Sequence, residues 1–141
     1  MRLHVHKGVP VRLPRRRLQR LFDLVVRGEE RGKAGINVIF TGDRELQRLN
    51  AQYRHKDHAT DVLSFNLDDD AGDGEIFGEI YISVQTAQRQ AKEYGGTLGE
   101  ELLRLTCHGL LHLFGYDHHR RADAGKMRER EERYLAGAEE A

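Results

Sequence analysis

The chain has few of the features that mark secreted and membrane proteins. It has one cysteine, Cys107, in 141 residues, and a single cysteine cannot form an intrachain disulfide. No apolar run approaches the length that crosses a bilayer. The residues from Met1 to His6 lack the apolar core of a signal peptide. We therefore expect a cytoplasmic protein with no membrane partner.

A net charge is also absent, because 23 lysines and arginines balance 23 aspartates and glutamates. Proteins that mainly coat nucleic acid usually carry a basic excess, so this class is disfavoured for the chain as a whole. A local basic surface is compatible with the balance. Five arginines cluster where the first helix is predicted to begin, and they fit either phosphate contact or a solvated helix face: Arg12, Arg15, Arg16, Arg17 and Arg20.

Hydrophobic periodicity and turn residues predict four strands and five helices. The strands are expected over Arg2–Lys7, Ile36–Phe40, Asp61–Phe65 and Phe77–Ser83. The helices are expected from Pro14 to about Gly28, from about Asp43 to Tyr53, from Ser83 to about Tyr94, from Thr97 to Gly115 and from about Ala122 to Ala136. This order predicts an α+β fold, a single layered domain over residues 1–141 with a mixed sheet of about four strands packed by about five helices. Periodicity does not reveal the strand order.

The fourth predicted helix is unusual because it is apolar on nearly every side and carries two histidines. His108 and His112 are four residues apart, so they lie on one face of a helix that we expect to be mostly buried. A metal ion satisfies the ring nitrogens of both at once. Gly115 can turn the chain so that His118 supplies a third nitrogen, which puts the predicted metal site at the end of the buried helix.

Three imidazoles with an open fourth position are typical of a catalytic zinc site, so we expect one Zn²⁺ per chain. The alternative is a hydrogen-bonded pair of core histidines with His118 on the surface. His119 is a rival third ligand, but only His118 has the required spacing. Asp117 is a candidate for the carboxylate that orients a ligand, or a simple turn residue.

The same histidine spacing occurs in metzincin peptidases, where a glutamate after the first histidine acts as general base. Here that position is Gly109, which cannot transfer a proton, so peptide hydrolysis is disfavoured. A peptidase would need another carboxylate, for which Glu79 is the candidate. A metal alone can still lower the pKa of its water to about 7 and supply hydroxide.

These residues resemble the YbeY endoribonuclease family of bacteria. The segment from His108 to His118, HGLLHLFGYDH, is similar to the family signature. Two upstream segments are similar to a second family block, LNAQYRHKD over 49–57 and TDVLSF over 60–65. GEIYIS over 78–83 is similar to a third block. The resemblance extends from about Ile36 to the last helix.

The resemblance implies a single-strand-specific, metal-dependent endoribonuclease that acts in 16S rRNA 3′-end maturation and in ribosome quality control. Its expected partners are single-stranded RNA or rRNA, and the small ribosomal subunit or its proteins. The resemblance also assigns a catalytic role to Arg54, which can clamp a phosphate through two parallel hydrogen bonds. The alternative for Arg54 is an ordinary surface arginine that follows a helix.

A second function is compatible with the same residues, namely a non-catalytic ribosome-assembly factor in which zinc only ties the C-terminal region to the sheet. Three further features have simpler interpretations. Cys107 is expected in the core, and Met127 is expected to pack. Four aspartates do not have calcium-loop spacing and are expected at a solvated hairpin tip: Asp68, Asp69, Asp70 and Asp73.

Overall fold

The computed structural model describes residues 2–30, 33–67, 76–116 and 121–139. Four strands and five helices lie in these ranges, in the predicted order. The strands are β1 (Arg2–Lys7), β2 (Ala34–Thr41), β3 (Val62–Asn66) and β4 (Ile76–Ser83). The helices are α1 (Arg15–Gly28), α2 (Asp43–Arg54), α3 (Val84–Tyr94), α4 (Leu98–Leu113) and α5 (Arg121–Glu139). The predicted α+β class is confirmed.

The four strands form one mixed sheet in the order β1-β2-β4-β3. The pairs β1–β2 and β2–β4 are parallel, whereas β3 runs antiparallel to β4. The hairpin partner β3 therefore lies at one edge and β1 lies at the other. This order follows from long-range pairing, which is why periodicity along the chain did not predict it.

The sheet separates a large core from a small one. Alternate residues of β2 and β4 point into the large core, where Ile36, Val38 and Ile80 meet the apolar residues of α1, α4 and α5. The opposite face is covered by α2, whose Leu46 and Leu49 pack on Leu63 of β3. Side chains at successive positions of β4 therefore serve opposite layers.

The helix α4 is the most buried helix, as its composition predicts. Ten of its sixteen residues are buried. Its start is fixed by the predicted capping box, in which the Thr97 side chain accepts from the Glu100 backbone and the Glu100 side chain accepts from the Thr97 backbone. Among the described residues, none of the helices has both the length and the apolar content that a membrane-spanning helix requires.

The starts of α2 and α3 are tied together by one carboxylate. Asp43 accepts hydrogen bonds from the hydroxyls of Ser83 and Thr86 and from the Arg89 guanidinium. Ser83 also caps α3 as predicted, because its side chain accepts from the Thr86 backbone. Burial of Asp43 opposes its charge, but these hydrogen bonds outweigh burial and hold the pKa of the carboxyl below its ordinary value.

Candidate metal centre

The histidine pair lies on the last two turns of α4, where the helix reaches an open cleft. His108 and His112 are half-buried, and their Nε2 atoms are 3.1 Å apart. The ring planes cross at 75° with centroids 4.6 Å apart. The buried faces of the same helix turns hold these residues in place, so a rigid core element positions both rings.

The other ring nitrogen of each histidine faces an oxygen atom. His112 Nδ1 lies 3.1 Å from the Tyr116 carbonyl oxygen, which can only accept, so this nitrogen carries the proton. His108 Nδ1 lies 3.6 Å from Glu131 Oε2 on α5. Carbonyl and carboxylate oxygens are the usual partners of the outer nitrogen in metal-bound histidines, because they direct the lone pair of Nε2 to the ion.

This arrangement fits a metal ion. With Nδ1 protonated on both rings, two Nε2 lone pairs face each other, and a shared cation removes their repulsion. Two nitrogens bound to a tetrahedral zinc ion at 2.0–2.1 Å are about 3.3 Å apart, close to the spacing of this pair. A proton shared by the two nitrogens satisfies the same geometry, so the hydrogen-bonded pair stays an alternative.

The third predicted ligand, His118, lies outside the described residues, as do Asp117 and His119. Within the described ranges, no group of three or more His, Cys, Asp or Glu side chains is arranged to hold a metal. The assignment of three ligands therefore stays a prediction. The turn that it requires is present: α4 ends at Leu113, and Gly115 has φ +100°, a conformation that favours glycine.

The structure gives Gly109 a packing role that the sequence did not reveal. A Cβ atom at this position would lie 2.7 Å from Ile80 Cγ2 and 3.0 Å from Ser64 Oγ. Gly109 therefore faces the sheet, whereas a metzincin-type glutamate has to reach the metal. The close packing of α4 on the sheet requires a glycine at position 109, and for the same reason this position cannot hold a side chain that acts as a base.

The other carboxylate considered for peptide hydrolysis is on the wrong side of the sheet. Glu79 accepts a hydrogen bond from Tyr81 at 3.2 Å and lies on the face covered by α2. Its neighbours in β4, Gly78 and Ile80, are the residues that face α4. The suggestion that Glu79 replaces the missing base is therefore wrong.

An open cleft of about 610 Å³ lies in front of the histidine pair. Its walls come from the end of α2, the loop after it, β3 and α4, and they include Arg54, Lys56 and Asp61 beside His108 and His112. The structure thus brings Arg54 and the histidine pair to one cleft, although His108 is 54 positions after Arg54 in the sequence.

Two contacts hold Arg54 in the cleft wall. One terminal N–H group donates to the Ser64 carbonyl at 2.9 Å, and the guanidinium carbon lies 5.7 Å from the centre of the Phe65 ring. Ser64 also donates through its hydroxyl to the Gly109 carbonyl at 3.1 Å. β3 therefore connects the arginine to the helix turn that carries His108, and the guanidinium keeps further N–H groups for an anion.

The loop that forms one wall of the cleft depends on a buried amide. Asn50 is almost fully buried, and its side chain donates to the His58 carbonyl at 3.0 Å. The main-chain carbonyl of Asn50 accepts a hydrogen bond from the Lys56 backbone N–H at 3.2 Å. His55 between them takes a left-handed conformation with φ 57° at the end of α2. We did not predict this role of Asn50, although an asparagine among the apolar residues of a helix face, close to the helix end, indicates a buried side-chain hydrogen bond.

A tyrosine–carboxylate cluster supports the carbonyl that orients His112. Glu29, just after α1, accepts hydrogen bonds from the hydroxyls of Tyr116, at 2.7 Å, and Tyr134. Burial, followed by these bonds to the Glu29 carboxylate, raises the pKa of both tyrosines. The cluster fixes the residue after Gly115 to α1 and α5, and nothing in the local sequence around Glu29 indicated it.

The remaining predictions have clear outcomes. Cys107 is fully buried, and burial, followed by Glu131, raises the pKa of its thiol. Met127 is buried in the large core, so its packing role is confirmed. The four aspartates predicted at a hairpin tip, Asp68, Asp69, Asp70 and Asp73, lie outside the described residues.

The arginine cluster of α1 is at the far end of α4 from the histidines. The Arg17 guanidinium is beside Gly99 in the first turn of α4, and His108 is nine residues further on, which is about 13 Å along a helix axis. Arg20 donates to the Gly137 carbonyl at 2.9 Å. Arg12, Arg15 and Arg16 are exposed. This cluster is therefore a surface separate from the cleft.

A family model and several curated relatives that are similar to this chain share one description. The family model described as Endoribonuclease YbeY matches residues 7–139. Endoribonuclease YbeY of Chloroherpeton thalassium is 36% identical over 136 residues, covering 96% of this chain and 94% of that protein. The protein of the same name from Carboxydothermus hydrogenoformans is 45% identical over 108 residues, covering 76% of this chain and 75% of that protein.

Other similar proteins are longer. Endoribonuclease YbeY of Anaeromyxobacter sp. is 49% identical over 109 residues, which are 77% of this chain but 56% of that protein. The chain spans about half the length of this relative and of a second one from Anaeromyxobacter dehalogenans. Among solved structures, the solution structure of TM1509 from Thermotoga maritima has a TM-score of 0.64 and 29% identity, covering 97% of this chain and 89% of that chain.

Proposed function

Because the chain belongs to the YbeY endoribonuclease family, we propose that it is a zinc-dependent endoribonuclease that cleaves single-stranded RNA. The family membership confirms the resemblance indicated by the histidine motif. The observation that carries the proposal is that one open cleft is lined by His108, His112 and Arg54. The cleft thus combines two nitrogen donors for a metal with a cation for a phosphate. In this proposal residues 1–141 act as one hydrolase domain.

The proposed ligands of one zinc ion per chain are His108, His112 and His118, with Asp117 as the candidate for orienting a ligand. When bound, the ion supplies Lewis-acid charge and activates water near neutral pH. The chain's own contribution is orientation: the Tyr116 carbonyl and the Glu131 carboxylate face the outer nitrogens of the pair. The orientation of both rings supports a resident metal.

The role of Arg54 in this proposal is to bind the phosphate that is attacked. Its guanidinium is held by the Ser64 carbonyl and by the Phe65 ring, so it is preorganised for an anion. Lys56 adds a second positive charge to the same cleft. A guanidinium can offset the negative charge that builds on the phosphate oxygens during attack. No side chain is assigned as general base.

The proposed substrate is ribosomal RNA. The proposed roles of the enzyme are 16S rRNA 3′-end maturation and ribosome quality control. This finer assignment rests on the family resemblance. The balanced charge of the chain supports a need for a partner, which we propose to be the small ribosomal subunit or one of its proteins. The separate arginine surface of α1 is suited to a second contact with phosphates.

The proposal is tested by cleavage of a labelled single-stranded RNA. We expect His112→Ala or chelation to abolish cleavage, and Arg54→Ala to lower kcat/KM by roughly 100-fold or more. Arg54→Lys should recover only part of the loss, because lysine cannot donate two parallel hydrogen bonds. Arg44→Ala is the matched control, since Arg44 is exposed at the other end of the same helix. Wild-type rates in the Arg54→Ala variant would remove the role proposed for Arg54.

A second function has support from the same contacts. His108 faces Glu131 of α5, and His112 contacts the Tyr116 carbonyl in the turn after α4. A metal bound to the two histidines would therefore also stabilise the C-terminal region. A non-catalytic assembly factor with structural zinc predicts that metal removal unfolds the chain and that RNA binds without being cut. Circular dichroism with and without a chelator, run beside the cleavage assay, separates the two functions.

A further inference from the structure

An exposed aromatic ring lies beside the proposed phosphate-binding arginine. Tyr53 precedes Arg54 in the last turn of α2, and 59% of its surface is exposed. Its ring meets Phe65 edge-on, with centroids 5.4 Å apart and planes at 64°. This edge-on contact leaves much of the tyrosine ring open to solvent.

The Tyr53 ring packs on Phe65, which is itself held in the small core. Phe65 packs against Tyr81 with centroids 5.9 Å apart, and both belong to the small core formed with Leu46 and Leu63. The same Phe65 ring carries the Arg54 guanidinium at 5.7 Å. One side chain of β3 therefore contacts both Tyr53 and Arg54. Phe65 thereby places an exposed aromatic ring, on the α2 side of the edge strand β3, next to the arginine that lines the cleft.

We propose that Tyr53 stacks on an unpaired base of the RNA strand whose phosphate is bound by Arg54. The inference rests on the proposed function and adds a base-binding subsite to it. Single-stranded nucleic acid is bound by pairing a positively charged groove with aromatic rings that stack on bases. The cleft supplies the charge through Arg54 and Lys56, and Tyr53 supplies the ring.

This subsite accounts for a preference for single strands. A base in a duplex is already stacked on its neighbours and paired, so it can reach Tyr53 only after it is unstacked, which costs free energy. An unpaired base can turn onto the tyrosine without that cost. Stacking is tolerant of sequence because every base has an aromatic face, so the subsite should select the state of the strand more than its sequence.

The test is steady-state cleavage by the zinc-loaded full chain, measured on a single-stranded RNA and on abasic versions of it. We expect Tyr53→Ala to raise KM by about five- to a hundredfold, with a small change in kcat, because stacking binds substrate without touching the reacting atoms. Tyr53→Phe should restore the wild-type KM, whereas Tyr53→Leu, which keeps an apolar contact with Phe65, should not. The preference for single-stranded over double-stranded RNA should narrow by the same factor.

An abasic scan connects the ring with one nucleotide. At one position, removing the base should raise the wild-type KM and leave the KM of Tyr53→Ala unchanged. Tyr94→Ala is the matched control, because Tyr94 is 77% exposed at the end of α3, next to the start of α4 and away from the histidines. A folded Tyr53→Ala variant with wild-type KM overturns the subsite alone. A wild-type chain that cuts no RNA overturns the proposed function, and the subsite with it.

Discussion

Gly109 provides a sharp test of how α4 is packed. In Gly109→Ala, the added Cβ would lie 2.7 Å from Ile80 Cγ2, whereas carbon atoms in good contact are about 3.5–4.0 Å apart. Ile80 is fully buried in β4, one of the two inner strands, so a shift of its side chain would disturb the core residues packed around it. Ser64 Oγ, at 3.0 Å, limits a shift in another direction.

The expected size of the effect follows from two opposing contributions. Forcing an extra carbon into a packed core costs about 1–3 kcal/mol, and the double obstruction by Ile80 and Ser64 favours the upper end. Alanine returns about 1 kcal/mol because it is a better helix former than glycine. We therefore expect Gly109→Ala to lower the free energy of unfolding by about 2 kcal/mol, and to reduce RNA cleavage because the turn carrying His108 moves.

The matched control is a second helical glycine with open space around it. Within the described part of the chain, no atom lies within 4 Å of the position that a Cβ would take at Gly125 in α5. Gly125→Ala should therefore stabilise the chain by about 1 kcal/mol. Urea unfolding followed by circular dichroism, with zinc and with a chelator, measures both variants. A Gly109→Ala protein as stable as wild type would refute the close packing of α4 on the sheet.

Two further predictions concern the supporting contacts. Asp43 has a lowered pKa in the folded chain, so its carboxylate stabilises the fold at pH values above the ordinary pKa of 3.8. This contribution is lost as the pH falls through the lower folded-state pKa. The difference in unfolding free energy between wild type and Asp43→Asn should therefore shrink on acidification, as urea titrations from pH 7 to pH 3 would show. Tyr116→Phe removes the hydroxyl that donates to Glu29 at 2.7 Å and should cost about 1 kcal/mol of unfolding free energy. An unchanged urea midpoint in Tyr116→Phe would contradict the second prediction, and a constant difference across pH would contradict the first.

Much of the fold could be predicted because its boundaries carry local signals. Pro14 precedes α1, Ser83 caps α3, and Thr97 with Glu100 forms the capping box of α4. The burial of α4 follows from its composition, since it has no continuous polar face. The strand order could not be predicted, because the parallel pairing of β2 with β4 joins segments that are separated in the chain by α2 and β3.

The site was predictable in its motif and less so in its surroundings. The spacing of His108 and His112 places both rings on one helix face, and the structure has them together. The partners of the rings were not predictable: Glu131 reaches the pair from α5, and Glu29 reaches Tyr116 from the end of α1. Such contacts depend on how helices pack, and a single sequence has no local pattern that records them.

The central claim is that the histidine pair holds a metal, and metal content measures this most directly. Plasma mass spectrometry should be run on the tag-free wild type, on His112→Ala and on His58→Ala, which removes a histidine from the same cleft. The account predicts about one zinc per chain in wild type and in His58→Ala, and almost none in His112→Ala. A well-folded wild type without stoichiometric metal would contradict it, and would leave His108 and His112 as a hydrogen-bonded pair.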